Sequence, residues 1–228
     1  MTHLTSLASY QSMMAGKDFV TELLVMVNDF CRTLDAHPPA YSYIPLTSDE
    51  ERVRVMQSRL YNEVRAAELF GTWLKTTPEL EVKAIMAESA HEEMEHAELL
   101  SKQIRDFGFE PFDYQPLPAQ MAMFNAIEGL TDTCQRMAGF SLAGEAVATY
   151  LTQKSLKAST VPDWIKQPYR KITRDEEEHG SIPQEILQRY AATGERQEAA
   201  RRAVAMRLVL FREYLNSLDR WAMGTDRW

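Results

Sequence analysis

The sequence predicts an all-α protein, a bundle of four long helices in two halves joined by a crossover, with an extra helix at each end. Three observations predict it. Glycine is scarce, 9 in 228 residues, and no alternating β-branched run reads as a strand. Apolar residues recur at intervals of three and four, the period of a helix buried on one side. Proline and glycine gather in a few short stretches that punctuate these periodic segments. No linker or low-complexity tract interrupts residues 1–228, so one domain is expected.

The elements follow in order, with bounds of the usual few-residue precision. A first helix is expected over about 17–34. The run Ala36 to Pro45 is too rich in proline to be helical. Ser48 with Glu51 three positions on is a capping box, opening a helix to about Lys75. Thr76-Thr77-Pro78 turns the chain into a second bundle helix, about 79–107, which stops near Gly108. Phe109 to Pro118, with its prolines and aromatics, reads as the crossover between the halves. A long helix over about 119–157 follows, then a turn at Ser159 to Asp163 and a helix over about 164–191. Pro183 removes the hydrogen bond to the carbonyl of His179, so a kink or break is expected there, with Ser181 as its cap. Thr193-Gly194 precedes a last amphipathic helix over about 195–222. The bundle core is thus about 48–191, flanked by the first and last helices.

Composition excludes several functions. Hydrophobic residues make up 45% and charged residues 25% of the chain, enough for a solid core. The formal net charge of −8 argues against broad contact with nucleic acid or an anionic membrane surface. The most apolar early run, Phe19 to Val27, is interrupted by Glu22 and too short to span a bilayer. The two cysteines, Cys31 and Cys134, lie far apart, fitting a reducing compartment and excluding a cysteine-ligated metal. With no secretory signal visible, a cytoplasmic protein is expected.

One ligand pattern occurs twice at matching intervals. Glu63 precedes the pair Glu93 and His96 by thirty residues, and Glu145 precedes Glu176 and His179 by thirty-one. Each half offers one carboxylate and one Glu-x-x-His, together six ligands, enough for two metal ions in a four-helix bundle. At about 1.5 Å per residue, Glu63 lies about 18 Å before the first turn and Glu93 about 21 Å after it. An antiparallel hairpin therefore brings them level.

The faces agree with this. Val82, Ile85, Ser89, Glu93, His96 and Leu100 share one stripe, as do Ile165, Tyr169, Ile172, Glu176, His179 and Pro183, and Val53, Met56, Leu60, Glu63, Ala67 and Phe70. Carboxylates inside apolar stripes are costly unless paired or metal-bound. A solvated acidic face explains Glu92, Glu95, Glu177 and Glu178, but not these. Glu68 is the rival to Glu63. Around Glu145 the inward stripe holds the small residues Ala138, Ser141, Ala148 and Thr152. They either leave room for a substrate or O2, or allow close helix packing.

These residues resemble the ferritin-like di-iron carboxylate proteins: rubrerythrins, bacterioferritins, ribonucleotide reductase small subunits, bacterial multicomponent monooxygenases and aldehyde-deformylating oxygenases. The match covers about 48–191. Glu63-Val64-Arg65-Ala66 with Phe70, and Ala90 to Ala97, are rubrerythrin-like; Asp175-Glu176-x-x-His179 is closer to the oxygenases and reductase subunits. The resemblance implies a ferritin-like four-helix bundle holding two iron ions (Fe2+/Fe3+), with Mn as the other candidate. It implies that Asp175 orients His96 and that Glu92 orients His179; ordinary surface charge is the other reading of both.

Departures exist. No rubredoxin segment is present, storage ferritins commonly lack the second Glu-x-x-His, and the radical tyrosine position of the reductases is Leu100 here. The implied function is a di-iron oxidase or oxygenase that uses O2 to oxidise a small organic substrate, with electrons from an external donor or from the substrate. Iron or peroxide handling is the alternative: a ferroxidase, a peroxidase or a manganese catalase. The acidic balance speaks against the tRNA hydroxylase found among such proteins. By analogy alone, the flanking helices would serve a homodimer.

Overall fold

Residues 13–224 are described in the computed structural model, except for the side chains of Glu177, Glu178 and His179. Among them every regular element is helical. α1 (Gly16–Thr33) buries Phe19, Val20, Leu23, Val27 and Cys31 along one stripe. The proline-rich loop after it contains one 3-10 turn, Ala40–Ser42. That loop is not on the surface: Tyr41 and Tyr43 are buried in the core. Tyr43 takes a left-handed backbone conformation, φ 59°, held by complete burial and by a 2.6 Å contact of its hydroxyl with that of Tyr169.

α2 (Asp49–Leu74) begins at Ser48, whose Oγ accepts from Glu51 N at 3.2 Å while Ser48 N donates to Glu51 Oε2 at 3.0 Å. The reciprocal pair satisfies two amides that the first turn leaves open. α3 (Leu80–Asp106) packs along α2 as the expected hairpin. The crossover follows, its start pinned by Phe107 stacked on Trp164 at 3.8 Å between ring centres.

The expected single helix over 119–157 is in fact broken. α4 (Pro118–Glu128) stops at Gly129. Asp132 then caps α5 (Thr133–Arg136), its Oδ1 accepting from Cys134 N at 2.8 Å. The buried Arg136 ties the break together by donating to Leu130 O at 2.9 Å, Thr77 Oγ1 at 2.9 Å and Thr76 Oγ1 at 2.8 Å. A capping aspartate and a carbonyl with a better partner outweigh the periodicity.

From α5 the rod widens into a π-helical segment, Met137–Glu145, before α6 (Ala146–Lys157). α9 (Gly194–Met223) lies against that segment. A Cβ at Gly139 would stand 3.2 Å from Ala203 Cβ, so glycine is what lets the two elements touch. α7 (Asp163–His179) and α8 (Ile182–Tyr190) are separated at Gly180-Ser181, as Pro183 predicts. Ser181 does not cap the backbone; its Oγ donates to Glu185 Oε1 at 3.1 Å.

The flanking helices join the same apolar cluster as the bundle. α9 buries Ala200, Ala203, Val204, Arg207, Phe211 and Tyr214. It also packs on α2, where Ser58 Oγ meets Tyr214 Oη at 2.9 Å. Replacing Gly139 by Val is expected to lower stability by about 1–3 kcal/mol, because overpacking at a closed helix contact outweighs the gain in helix propensity. Denaturant unfolding of the variant measures it; an unchanged midpoint would contradict the contact.

Candidate metal centre

α2 contributes Glu63, α3 contributes Glu93 and His96, the end of the π-helical segment contributes Glu145, and α7 contributes Asp175 and Glu176. Glu63, Glu93 and His96 each present a ligand atom, and these atoms lie within 4.8 Å of one another, a group able to hold a metal ion. Glu93 and His96 are 7% and 2% exposed. Glu92, Glu93, His96, Glu145, Asp175 and Glu176 all face one small cavity. The structure thus brings together five of the six predicted ligands. The side chain of His179, and with it the expected pairing with Glu92, lies outside the described residues.

His96 shows how the site is set. Its Nδ1 stands 3.8 Å from Glu93 Oε2 and 3.8 Å from Glu176 Oε1, and has no hydrogen-bond partner among the described residues. Its Nε2 faces Asp175 Oδ2 at 3.4 Å. Burial would raise the Asp175 carboxyl, but hydrogen bonds from Lys171, 2.8 Å away, and His96 outweigh it and hold the carboxyl below its usual value. An ionised Asp175 accepts only, so the imidazole proton belongs on Nε2. The bare lone pair of Nδ1 then points at the carboxylates. A buried nitrogen set 3.8 Å from two carboxyl groups leaves space between them for a bound ion.

The carboxylates show the same deficit. Glu93 is raised well above the usual carboxyl range by burial, then by Glu63 and Glu176. Glu145 is raised by burial and by Glu176, against the opposing effects of Arg207 and a hydrogen bond from Ser141. Glu176 is pushed up to about 8 by burial first, then by Glu63, Glu92 and Asp175. Glu145 and Glu176 keep some accessible area, but it faces internal cavities, so desolvation still dominates. Oxygen and imidazole donors without a thiolate fit iron or manganese.

A second cavity adjoins the carboxylates, measuring about 70 Å³ in the space open to the centres of water molecules. One water needs roughly 10–15 Å³ by that measure. Ala148 and Thr152, two of the predicted small residues, line it. Ser141 lines a neighbouring cavity. Ala138 does not lie on these walls: it is fully buried in the apolar cluster, so close packing is the better account of that position. Sequence reasoning missed Arg59 and Arg207, which also line the second cavity. The signal was present, since Arg59 sits one turn before Glu63 and Arg207 interrupts the apolar stripe Val204, Phe211, Tyr214.

No protein-family model and no curated protein matches the sequence. Among solved structures, the chain is similar to a domain of unknown function with a heme oxygenase-like fold from Shewanella denitrificans OS217. The TM-score is 0.71 at 15% identity, over 94% of this chain and 98% of that one. The fold is heme oxygenase-like. That description and the ferritin-like bundle expected from the motifs share the all-helical architecture seen here. The likeness concerns fold alone; the carboxylate–histidine cluster is a property of this chain's own residues.

The raised carboxyls carry a pH dependence. Glu176 has a folded value of about 8 against an ordinary 4.5, so between these limits the folded metal-free protein binds more protons than the unfolded chain. Stability then falls as pH rises through this window. Thermal unfolding of the metal-free protein is expected to show a lower midpoint at pH 8 than at pH 5, and a divalent metal added at pH 8 should restore it. A flat profile would show that the cluster is not buried as described.

Proposed function

We propose that the chain is a non-haem di-iron oxidase or oxygenase that uses O2 to oxidise a small organic substrate. The observation that carries this reading is the buried, unpartnered Nδ1 of His96, 3.8 Å from carboxylate oxygens on two different helices. Glu63, Glu93 and His96 would hold one ion. Glu145, Glu176 and, by the repeated motif, His179 would hold the other. Bound iron would supply the two-electron chemistry of O2.

The chain's own residues do the rest. Asp175 holds the proton on His96 Nε2 and keeps Nδ1 free to bind, and Lys171 keeps Asp175 ionised. Protons held by Glu93, Glu145 and Glu176 leave when a cation replaces them. Phe124, Phe140, Phe211 and Ile172 give the adjoining cavity an apolar wall that receives an organic molecule and sheds water. That cavity favours oxidation of an organic substrate over turnover of iron itself. Among the described residues no helix is long and apolar enough to cross a membrane, and the net charge of −8 supports a reading without nucleic acid. No flavin or further metal motif was found in the sequence, so the electrons would come from an external donor or from the substrate.

Anaerobic titration with Fe(II) is expected to load two ions per chain, and exposure to O2 should consume it without sustained turnover of added Fe(II). Repeated turnover would indicate a ferroxidase instead. His96→Ala should lose at least one ion. Asp175→Asn, which removes only the positioning of His96, should weaken metal affinity by about 10–100-fold. Wild-type metal content in His96→Ala, read by elemental analysis, would refute the assignment.

A further inference from the structure

The second cavity beside the carboxylates is lined by two cations that are not among the proposed metal ligands. Arg59 and Arg207 both line it and are 2% and 5% exposed. In each, Nε and Nη1 lack a hydrogen-bond partner among the described residues. Thr173 Oγ1, on the same wall, is likewise unpartnered. Neither arginine is loose. Arg59 lies between the rings of Tyr41 and Tyr169, at 4.4 and 3.9 Å from their centres, and its Nη2 donates to Thr152 Oγ1 at 2.8 Å. Arg207 lies over Phe211 at 4.9 Å. A Cβ at Gly144 would come within 2.8 Å of its Nη2, so the π-helical segment is shaped to admit the guanidinium.

Charge accounting sharpens the point, and it rests on the proposed di-metal reading. Two divalent ions balance Glu63, Glu93, Glu145 and Glu176; outside that set Lys171 pairs with Asp175, and Glu92 adds one further carboxylate beside the cluster. Arg59 and Arg207 stand apart from these pairs as two positive charges at the wall of the second cavity, each with buried N–H groups that no described residue accepts. Desolvated guanidinium groups of this kind require an anion.

We propose that Arg59 and Arg207 anchor an organic carboxylate substrate. Its carboxylate takes the open N–H groups, with Thr173 as a further partner, and its apolar body lies along Phe140 and Phe211 toward the cluster. Guanidinium suits carboxylate and phosphate alike. The carboxylate is the smaller head for a cavity of about 70 Å³, and phosphate is the competing anion that the test includes.

Isothermal titration tests this on the whole protein, both metal-free and loaded with Zn(II), using benzoate and hexanoate, the amide of each, and phenyl phosphate. At least one acid is expected to bind about tenfold or more tightly than its amide, about 1.4 kcal/mol. Arg59→Gln and Arg207→Gln should each abolish that preference. Metal content measured on the same samples separates the two ideas: acid preference without bound metal would leave the anchor standing and remove the di-metal reading. The anchor is overturned if two ions bind but acids and amides bind alike, or if phenyl phosphate binds best. It is also overturned if the variants lose metal while still preferring the acid, which would make the arginines counter-ions of the cluster. Should the variants fail to fold, the comparison of acid, amide and phosphate on the unmutated protein decides.

Discussion

Mutual repulsion among buried carboxylates governs this molecule. Glu93, Glu145 and Glu176 are each pushed upward by burial and by one another or Glu63. At an effective dielectric of about 20, two unit charges 4 Å apart interact by roughly 4 kcal/mol. No packing around them removes that cost. Protons or cations must, and His96 Nδ1, turned toward the same carboxylates, completes a group that could hold a metal ion. Asp175 and Lys171 step outward from that imidazole toward the surface, Lys171 offsetting the charge of Asp175, which also raises Glu176.

The fold delivers these groups by two different devices. The α2–α3 hairpin is local: a capping box at Ser48 and a short turn put Glu63 level with Glu93 by helix geometry alone. The other wall is non-local. Gly139 lets α9 close onto the π-helical segment, Gly144 leaves space for Arg207, and the segment ends on Glu145. Widened helical turns are found at functional sites because they re-aim a side chain without ending the rod. Here one distortion positions a carboxylate on the cluster and a guanidinium on the neighbouring cavity.

What the sequence revealed follows the same division. Ser48, Pro183 and the paired Glu-x-x-His spacing are readable because each acts within a few residues or by strict periodicity, and the hairpin and the α7–α8 break are where they indicate. The break at Gly129 to Asp132 and the π-helical segment were not foreseen. They depend on Arg136 reaching Leu130 and the Thr76-Thr77 turn, and on Ala203 meeting Gly139, contacts between residues distant in sequence. Arg59 was overlooked because its partners Tyr41, Thr152 and Tyr169 come from the loop and from helices distant in sequence. α9, treated as a flank, carries Arg207.

The placement of opposite charges in one cavity argues for a substrate between them. Glu63, Glu93, Glu145 and Glu176 border it together with Arg59 and Arg207, yet the Nε and Nη1 atoms of both arginines make no hydrogen bond to any of them. Had the arginines served only to neutralise the cluster, direct pairing would be the lower-energy arrangement, since attraction in a dry interior rises steeply as charges approach. Aromatic rings instead hold both guanidinium groups in place: Tyr41 and Tyr169 for Arg59, Phe211 for Arg207. That arrangement leaves a gap between cation and carboxylate that the proposed anionic substrate would fill. The same separation would hold the reactive end of that molecule against the metal centre and its anionic end away from it.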